Sequence, residues 1–491
     1  MFSVNAGMDR LSLERQLTTE PLIVDLDGTL VRTDTLFESL LLLFRNAPWR
    51  LFGAMSALLR GRAAFKAYVS QFVILPADSL PYNDDLLDYL RSQRATGRHI
   101  VLATAAHHSI AGRVSDYLGL FDHVLATQDG ANLKGHAKLA EIRKLVGAKF
   151  VYAGDSNADL PIWLEATGAI LVGVSPAVAR RVEKTCRIEQ VFARSNLTML
   201  VWMKAFRVHQ WLKNTLIFVP LLTAFSFNNV SKLIPVIAGF IAFSLAASAT
   251  YIWNDLVDLE SDRRHPRKCK RPMASGAISI PSAILAACAL MSTGLVLACL
   301  ISTQFLAILV AYIVLTTSYS LVLKHYVLID VLMLAVLYTV RILAGALALE
   351  ETVSTWLLAF SLLIFYSLAI LKRCAELISL QQCNGKVTAG RDYRVTDLAV
   401  LWPLGIGASL SSVVVFCLFI QAADTQSNYV NPTLLWGVVL AMLYWLSRLW
   451  VKTSRAEMHD DPLVYAIKDR GCRMTIAAMV AFTIGARFVS I

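Results

Sequence analysis

Three aspartates and an asparagine stand at helical spacing near the middle of the chain, in the stretch Asn254-Asp255-Leu-Val-Asp258-Leu-Glu-Ser-Asp262. Positions 255, 258 and 262 fall on one face of a helix, because side chains three, four and seven residues apart stack together. Carboxylates that converge in this way repel one another unless a cation lies between them, and oxygen ligands of this kind suit Mg²⁺. The pattern predicts a magnesium site, although a solvated charged loop between membrane helices has a similar composition.

A basic run follows these carboxylates directly and could hold the phosphate oxygens that a bound metal leaves free. A strongly apolar segment, 233–253, precedes them, so the aspartates are expected where a membrane helix meets water. The basic run and its neighbours are Arg263, Arg264, His265, Pro266, Arg267, Lys268, Lys270 and Arg271.

The aspartate pattern at the end of a membrane helix resembles the first aspartate-rich motif of the UbiA superfamily of intramembrane prenyltransferases, where it holds Mg²⁺ against a diphosphate. Further blocks make the chain similar to the decaprenyl-phosphate phosphoribosyltransferase branch, which transfers 5-phosphoribose from phosphoribosyl diphosphate to a polyprenyl phosphate. Ordinary members carry a second aspartate-rich motif after the sixth helix, and its absence here favours a second phosphate-bearing ligand. The blocks that carry the resemblance are Arg207-x-x-Gln-Trp-x-Lys213-Asn214, Tyr319-Ser-x-x-Leu-Lys324, Asp330 and Arg341-x-x-Ala-Gly345. Where ordinary members carry the second motif, this sequence reads Lys372-Arg373-Cys-Ala-Glu376.

The resemblance implies a membrane site with one or two Mg²⁺ ions on Asp255, Asp258 and Asp262. It also implies that basic and polar residues bind the phosphates of the two substrates. The candidates are Lys213, Asn214, Asn254, Arg264, Lys268, Lys270, Arg271, Tyr319, Lys324, Arg341, Lys372 and Arg373.

The first two hundred residues alternate short apolar strands with helical patterns, which indicates an α/β domain with a parallel sheet. Polar residues follow three of the predicted strands, at the edge of the sheet where ligands bind. Two aspartates two residues apart suit a nucleophile and a general acid/base, and a third carboxylate can complete a Mg²⁺ site. The residues are Asp25 and Asp27, then Thr104, then Asp155 with Asp159.

Together these segments resemble the haloacid dehalogenase (HAD) phosphatases, in the branch similar to phosphoserine phosphatase, over about residues 20–190. The resemblance implies that Asp25 forms an aspartyl-phosphate, that Asp27 serves as acid and then base, and that Thr104 holds a phosphate oxygen. Lys134 would neutralise the phosphoryl group, with Lys138 as a competing candidate. One Mg²⁺ would lie on Asp25, Asp27, Asp155 and Asp159. A HAD-like domain kept for stability or regulation is the alternative.

The predicted fold is a Rossmann-like α/β domain followed by an all-α polytopic membrane domain. We expect a leader at 1–19, a HAD-like domain at 20–195 with a small helical cap at about 33–82, and a UbiA-like domain at 196–491. The chain is 56% hydrophobic and only 16% charged, and its long apolar runs follow residue 200. About nine runs have spanning length: 213–229, 232–252, 281–300, 303–323, 327–348, 353–371, 397–421, 432–450 and 474–490.

The region of the predicted cap is apolar and basic, with runs too short to cross a bilayer. A helix there could lie on the membrane surface with its basic residues toward headgroups, or it could be buried against its own domain.

Charge predicts the orientation and the partners. The basic loops all fall on one side of the predicted spans, so the positive-inside rule places them, the HAD domain and both sites in the cytoplasm of a bacterial plasma-membrane protein. Nine spans then put the C-terminus outside.

The net charge of +11 suits phosphate substrates and anionic lipids, and nucleic-acid binding is not expected. The eight cysteines suggest neither a zinc site nor a disulfide framework, and the sequence leaves a homo-oligomer open.

The predicted function is a two-step membrane enzyme that transfers phosphoribose to a polyprenyl phosphate and then removes the 5-phosphate. Two alternatives stay open at this point. One is an aromatic prenyltransferase that uses a polyprenyl diphosphate, with an independent or regulatory HAD domain. The other is a lipid-binding membrane protein with a sensory HAD domain.

Overall fold

The structure is a computed structural model that describes residues 20–128, 132–193, 198–351, 354–382, 391–458 and 462–489. The chain forms two compact units. The first comprises Met1–Arg207 with Tyr251–Cys288, and the second comprises Val208–Thr250 with Ala289–Ile491. The aspartate-rich stretch therefore belongs to the unit that contains the N-terminal domain.

A six-stranded parallel sheet forms the centre of the first unit, in the order β3-β2-β1-β4-β5-β6. In β1, Leu22 and Val24 point to one face and Ile23 to the other, as the two-residue period of a strand requires, so both faces carry a hydrophobic core. The sequence pattern predicted β1, β2 and β4 but did not indicate the other three strands. The strands are β1 Leu22–Val24, β2 Ile100–His107, β3 His123–Thr127, β4 Val151–Gly154, β5 Gly168–Val172 and β6 Arg187–Phe192.

In chain order, three helices follow β1 in the region of the predicted cap: α1 Thr35–Asn46, α2 Arg50–Leu59 and α3 Arg62–Phe72. The Asp34 carboxylate begins α1 by accepting the backbone N–H groups of Leu36 and Phe37. The remaining helices of the N-terminal domain are α4 Asp84–Ala95, α5 His108–Leu118, α6 His136–Val146, α7 Leu160–Trp163, α8 Pro176–Glu183 and α9 Met199–Ala205.

Seven helices of the described chain are long and apolar enough to cross a membrane: Val230–Val257, Ile280–Ile301, Thr303–Leu321, Ile329–Ala348, Thr355–Gln382, Val395–Gln421 and Pro432–Ser454. The expected number of nine is thus not confirmed. The last predicted span falls in helix Arg470–Phe488, which carries Arg470 and Arg473 in its first turn and Arg487 near its end. The shorter elements here are α-helices Val219–Thr223, Leu259–Arg264, Ala423–Asn428 and Pro462–Lys468, with 3₁₀ turns such as Lys268–Lys270.

The first predicted span, 213–229, is not one continuous helix. A 3₁₀ helix covers Val208–Phe218, and a short α-helix follows at Val219–Thr223 with Pro220 in its first turn. A proline suits the first turn of a helix but not its interior, which explains the break. Gly345 packs against this segment so closely that a Cβ there would lie 2.1 Å from the Ile217 carbonyl oxygen. Apolar composition identified the segment, but packing decided its shape.

Candidate active sites

Asp25 and Asp155 meet because they follow neighbouring parallel strands, β1 and β4, whose carboxyl ends share one edge of the sheet. One carboxylate oxygen each from Asp25, Asp155 and Asp159 lies within 4.8 Å of the others. Gly28, at φ +78°, leaves room for this cluster, since a Cβ there would lie 2.1 Å from Asp155 Oδ2. The three oxygens fit a divalent cation. Asp27 is not part of this group.

Lys138, on α6, is buried against Asp25. Its ammonium lies 2.9 Å from Asp25 Oδ1 and donates a hydrogen bond of 3.0 Å to the Tyr152 hydroxyl. That hydroxyl in turn donates to Asp159 Oδ1 at 2.8 Å. Asp159 Oδ2 accepts backbone N–H groups of Asp155 and Ser156, so this carboxylate also orients the loop. Lys134 lines the same cavity, but the position beside Asp25 belongs to Lys138.

Burial sets the electrostatics of the two N-terminal aspartates. Loss of hydration raises the pKa of Asp25 to about 6, against the attraction of Lys138, which lowers it. Burial and the nearby Asp34 carboxylate raise the pKa of Asp27 to about 7, although its carboxylate accepts the Thr35 N–H at 2.8 Å. A carboxyl group with a pKa near neutrality can donate and accept a proton at physiological pH.

A cavity of about 630 Å³ opens in front of these carboxylates. Lys66, on α3, reaches into it and donates to the Ala105 carbonyl at 2.6 Å and to Asn132 Oδ1 at 2.9 Å. Burial lowers the pKa of Lys66. Thr104, expected to hold phosphate, is buried with its hydroxyl accepting the Ala106 N–H at 3.0 Å, and it is not among the described residues that line the cavity. The irregularity of β2 after Ala103 brings the following residues to the wall instead.

The aspartate-rich stretch forms a second acidic cluster, in which two of its three aspartates share an arginine. Arg271 Nη1 lies 3.1 Å from Asp255 Oδ1 and 2.5 Å from Asp262 Oδ2, and Arg207 also pairs with Asp255. Both carboxylates are buried. Asp262 Oδ1 is buried as well and accepts no hydrogen bond from a described residue, while the Lys268 ammonium is 3.7 Å away. A buried carboxylate oxygen in this state fits a cation.

The other candidates of this stretch are arranged less tightly. Asp258 stands at the N-terminus of the helix Leu259–Arg264, and no described contact joins its carboxylate to Asp255 or Asp262. The described contacts join Asp255 and Asp262 through Arg271, and a metal-binding role for Asp258 stays a prediction. Arg264 is exposed and pairs with Asp78 and Glu260. Asn254 is half-buried and Lys270 is exposed.

The segment 263–279, which begins at the end of the helix Leu259–Arg264, contacts the N-terminal domain within the same unit. The Arg263 guanidinium binds both carboxylate oxygens of Glu38 on α1, at 2.6 and 3.1 Å, and donates to the Ala274 carbonyl. Both side chains of this pair are buried. Gly276 lies so close that a Cβ would meet the Arg32 backbone oxygen at 2.7 Å. Ser279 lines the cavity in front of Asp25.

In the second unit, Arg341 lies inside an apolar helix and is fully engaged by its neighbours. Its Nε donates to Asn214 Oδ1 at 2.8 Å, and a second nitrogen donates to the Tyr312 hydroxyl at 3.0 Å. Asn214 is itself buried and donates to Ser244. These contacts satisfy N–H donors of the guanidinium, whose position inside an apolar run was predicted to be costly in a membrane.

Asp330 and Arg373 form a buried ion pair in the same unit. Arg373 Nε lies 2.5 Å from Asp330 Oδ2 and Nη1 lies 2.5 Å from Glu376 Oε2, while the Tyr319 hydroxyl donates to Asp330 Oδ1 at 2.7 Å. The Asp330 carboxylate therefore neutralises Arg373. Of the other cations proposed for this unit, Lys213, Lys324 and Lys372 are all half-buried.

Comparison with known proteins identifies both parts of the chain. The UbiA prenyltransferase family model matches residues 214–467, which is just over half of the chain. The chain belongs to the UbiA prenyltransferase family. A model of haloacid dehalogenase-like hydrolases matches residues 22–163, so a HAD-like domain precedes the UbiA domain. With seven apolar helices, this UbiA protein is an integral membrane protein.

Three relatives extend the comparison of this UbiA protein. Protein y4nM of Sinorhizobium fredii is 37% identical over 92% of this chain and 88% of its own length. The nodulation protein NoeC of Azorhizobium caulinodans is 32% identical over 60% of this chain and 97% of its own. Decaprenyl-phosphate phosphoribosyltransferase of Mycobacterium tuberculosis is 29% identical over 58% of this chain and 93% of its own.

Among solved structures, a UbiA homologue from Archaeoglobus fulgidus bound to GPP and Mg²⁺ is 15% identical. It matches 58% of this chain and 99% of its own, with a TM-score of 0.43.

The sequence of this UbiA protein did not single out Lys66, Glu38 or Arg263 as residues near the two acidic clusters. Lys66 and Glu38 are single charged residues in an apolar region and carry no spacing signal, since their partners are remote in sequence. Arg263 lay within the basic run, where nothing distinguishes it from its neighbours. Arg207 was not predicted as a partner of Asp255. It opens the segment Arg207-x-x-Gln-Trp-x-Lys213-Asn214, and that motif was the sequence signal that could have indicated its role.

Removal of Lys138 is expected to impair phosphatase activity more than removal of Lys134. Lys138→Met should lower turnover of p-nitrophenyl phosphate by about 10²-fold or more, because its ammonium lies beside Asp25, whereas Lys134→Met should cost about tenfold. Lys144→Met, an exposed position on the same helix, is the control. Melting temperatures of the full chain would check the fold, and a larger defect in the Lys134 variant would contradict the assignment.

Proposed function

We propose that this UbiA protein transfers 5-phosphoribose from phosphoribosyl diphosphate to a polyprenyl phosphate, and that its HAD-like domain then removes the 5-phosphate from the lipid-linked product. The M. tuberculosis relative carries the first activity in its name. The observation that carries the combined proposal is the docking of the aspartate-rich loop on the HAD-like domain through Arg263 and Glu38, with Ser279 in the wall of the phosphatase cavity.

In the transfer step, Asp255 and Asp262 would hold Mg²⁺ beside the diphosphate end of the donor, and Arg271 and Lys268 bind its phosphate oxygens. Mg²⁺ bound by these carboxylates would neutralise the diphosphate charge. Arg271 bridges the two carboxylates, and its guanidinium would also bind phosphate oxygens of the donor. A guanidinium binds phosphate oxygens in the same forked geometry as carboxylate oxygens.

The reaction exchanges one bond at the anomeric carbon. The bond from C1 of ribose to the diphosphate oxygen breaks, and an oxygen of the lipid phosphate forms the new bond to C1. A phosphate monoester is anionic at neutral pH and needs no strong base. Lys213, Lys324 and Lys372 are proposed to orient the lipid phosphate, whereas Arg341 and Arg373 hold the helices that carry them.

In the hydrolytic step, the Asp25 carboxylate attacks the phosphorus and the leaving ribose oxygen takes a proton from Asp27. Asp27 then accepts a proton from the water that hydrolyses the aspartyl-phosphate. Its pKa of about 7 suits both roles. Lys138 stabilises the phosphoryl oxygens, and Mg²⁺ held by Asp25, Asp155 and Asp159 would supply further positive charge.

We also propose that the protein resides in a bacterial plasma membrane with the HAD-like domain and the transfer site on the cytoplasmic side. The positive-inside rule supports this orientation. A phosphatase on the same side as the transferase meets its substrate at a high effective concentration, because the substrate is confined to the membrane.

The deciding assay incubates the full chain in nanodiscs with labelled phosphoribosyl diphosphate, polyprenyl phosphate and Mg²⁺. Label is expected in the lipid fraction, dependent on both the lipid phosphate and the metal. Transfer from a polyprenyl diphosphate to an aromatic acceptor instead would establish the alternative prenyltransferase. No transfer with either donor would favour the lipid-binding alternative.

A further inference from the structure

The helix α2 presents a wide apolar face to solvent. At 3.6 residues per turn, the side chains at positions 49, 52, 55 and 59 fall within about 120° of one another. The opposite face is buried through Ala54 and Ala57. The four exposed side chains are Trp49 at 67%, Phe52 at 81%, Met55 at 67% and Leu59 at 91% of their full accessibility.

Tight contacts join α2 to the neighbouring helix α3. Gly53 lies so close to Tyr68 that a Cβ would meet the phenol oxygen at 2.1 Å. The Arg50 guanidinium stacks over the Phe72 ring at 3.8 Å. Since Lys66 on α3 lines the cavity in front of Asp25, one helical hairpin carries both the apolar face and part of the phosphatase cavity.

The flanks of this face are basic. Between residues 45 and 62 the chain has four arginines and no acidic residue. Arg45, Arg60 and Arg62 are exposed. An exposed apolar face with cations at its border is the pattern of a helix that lies in the interface of an anionic bilayer. A second copy of the same face would bring four arginines against four arginines, so charge disfavours a self-dimer through this surface.

We propose that the face formed by Trp49, Phe52, Met55 and Leu59 inserts into the surface of an anionic lipid bilayer. Docking holds the mouth of the HAD cavity at the headgroup level, where the cavity takes phosphate groups attached to lipids. This consequence for catalysis rests on the proposed function, whereas the insertion itself does not.

The test uses the full chain with its native cysteines replaced, at one copy per nanodisc of mixed neutral and anionic phospholipid. Nitroxide labels are placed at Phe52→Cys and Leu59→Cys, with Asp88→Cys, a solvent-exposed position on α4, as the control. Oxygen concentrates in the bilayer, whereas a water-soluble nickel complex stays in water. The labels at 52 and 59 should therefore collide more often with oxygen than with the nickel complex, and the label at 88 should collide more often with the nickel complex. Labels at 52 and 59 that behave like the control would overturn the proposal. If the labels at 52 and 59 are shielded from the nickel complex only in discs that hold two copies of the protein, the face mediates self-association instead.

Charge and catalysis are tested with two further variants. Replacing neutral by anionic lipid should increase the ratio of oxygen collisions to nickel collisions for the label at 59. The double variant Arg45→Gln/Arg60→Gln should at least halve that increase. No response to anionic lipid in the wild type would overturn the electrostatic part. Phe52→Ser/Leu59→Ser should lower dephosphorylation of a bilayer-bound lipid phosphate by about tenfold and leave p-nitrophenyl phosphate turnover unchanged. An equal loss on both substrates would show that the face is only structural.

Discussion

An Asp25→Asn variant is expected to accumulate the phosphorylated lipid product and to lose phosphatase activity by about 10³-fold or more, because an amide cannot replace the carboxylate nucleophile. The side chain keeps its shape, and its oxygen can still accept from the Leu26 N–H and from Lys138, so the domain should fold. Thin-layer analysis of labelled lipids separates the product with the 5-phosphate from the product without it.

The transfer reaction should continue at the wild-type rate in this variant, since Asp25 lies outside the aspartate-rich stretch. Asp88→Asn, an exposed carboxylate of the same domain, is the matched control. Identical products from wild type and variant would defeat the coupling of the two steps. Residual turnover of p-nitrophenyl phosphate above about one per cent would instead contradict the role of Asp25 as nucleophile.

Replacement of Asp262 is expected to have the largest effect on transfer. Asp262→Asn should lower transfer by about 10²-fold or more and raise the Mg²⁺ concentration needed for half-maximal rate, because one ligand oxygen becomes a neutral amide. The buried Oδ1, which accepts no hydrogen bond from a described residue, is the atom that a cation would satisfy. A titration of the labelled-donor assay with Mg²⁺ measures both quantities.

Glu260→Gln is the matched control for this prediction, since Glu260 is a carboxylate on the same short helix and pairs with Arg264 at 3.1 Å. Phosphatase turnover of a soluble substrate should be unchanged in the Asp262 variant, which distinguishes a metal defect from misfolding of the shared unit. A normal Mg²⁺ requirement in the Asp262 variant would remove the acidic cluster from the transfer mechanism.

The membrane half illustrates how far composition can go. Apolar runs located the seven apolar helices of the described chain with most ends within five residues, because a bilayer demands about twenty apolar residues per helix wherever it is crossed. Helix Thr355–Gln382 is the exception, since it extends eleven residues beyond the predicted end at 371. The same criterion counted 213–229 as a span, although Pro220 and the close packing of Gly345 on Ile217 break that segment into a 3₁₀ helix and a short α-helix. A hydrophobicity pattern indicates that a segment lies in an apolar environment. It does not indicate whether the backbone forms the hydrogen bonds of an α-helix or those of a 3₁₀ helix.

In the cap, by contrast with the membrane helices, composition did not determine the environment of a helix. Its sequence left two options for α2, and periodicity could not choose between them because an apolar face suits either a core or a lipid surface. The choice depends on whether another element covers that face. In the folded domain Ala54 and Ala57 take the inner positions, and Phe52 and Leu59 remain exposed.

The sequence alone determined that an α/β domain precedes membrane helices and that Asp25 and Asp155 meet, because the carboxyl ends of adjacent parallel strands share one edge of a sheet. Only the tertiary structure decided that Lys138 rather than Lys134 lies beside Asp25, and that two of the three central aspartates share Arg271. It also paired Glu38 with Arg263, 225 positions apart. Local spacing constrains neighbours along one helix or strand, whereas contacts between remote charged side chains depend on how complete elements pack and on which groups burial forces to pair.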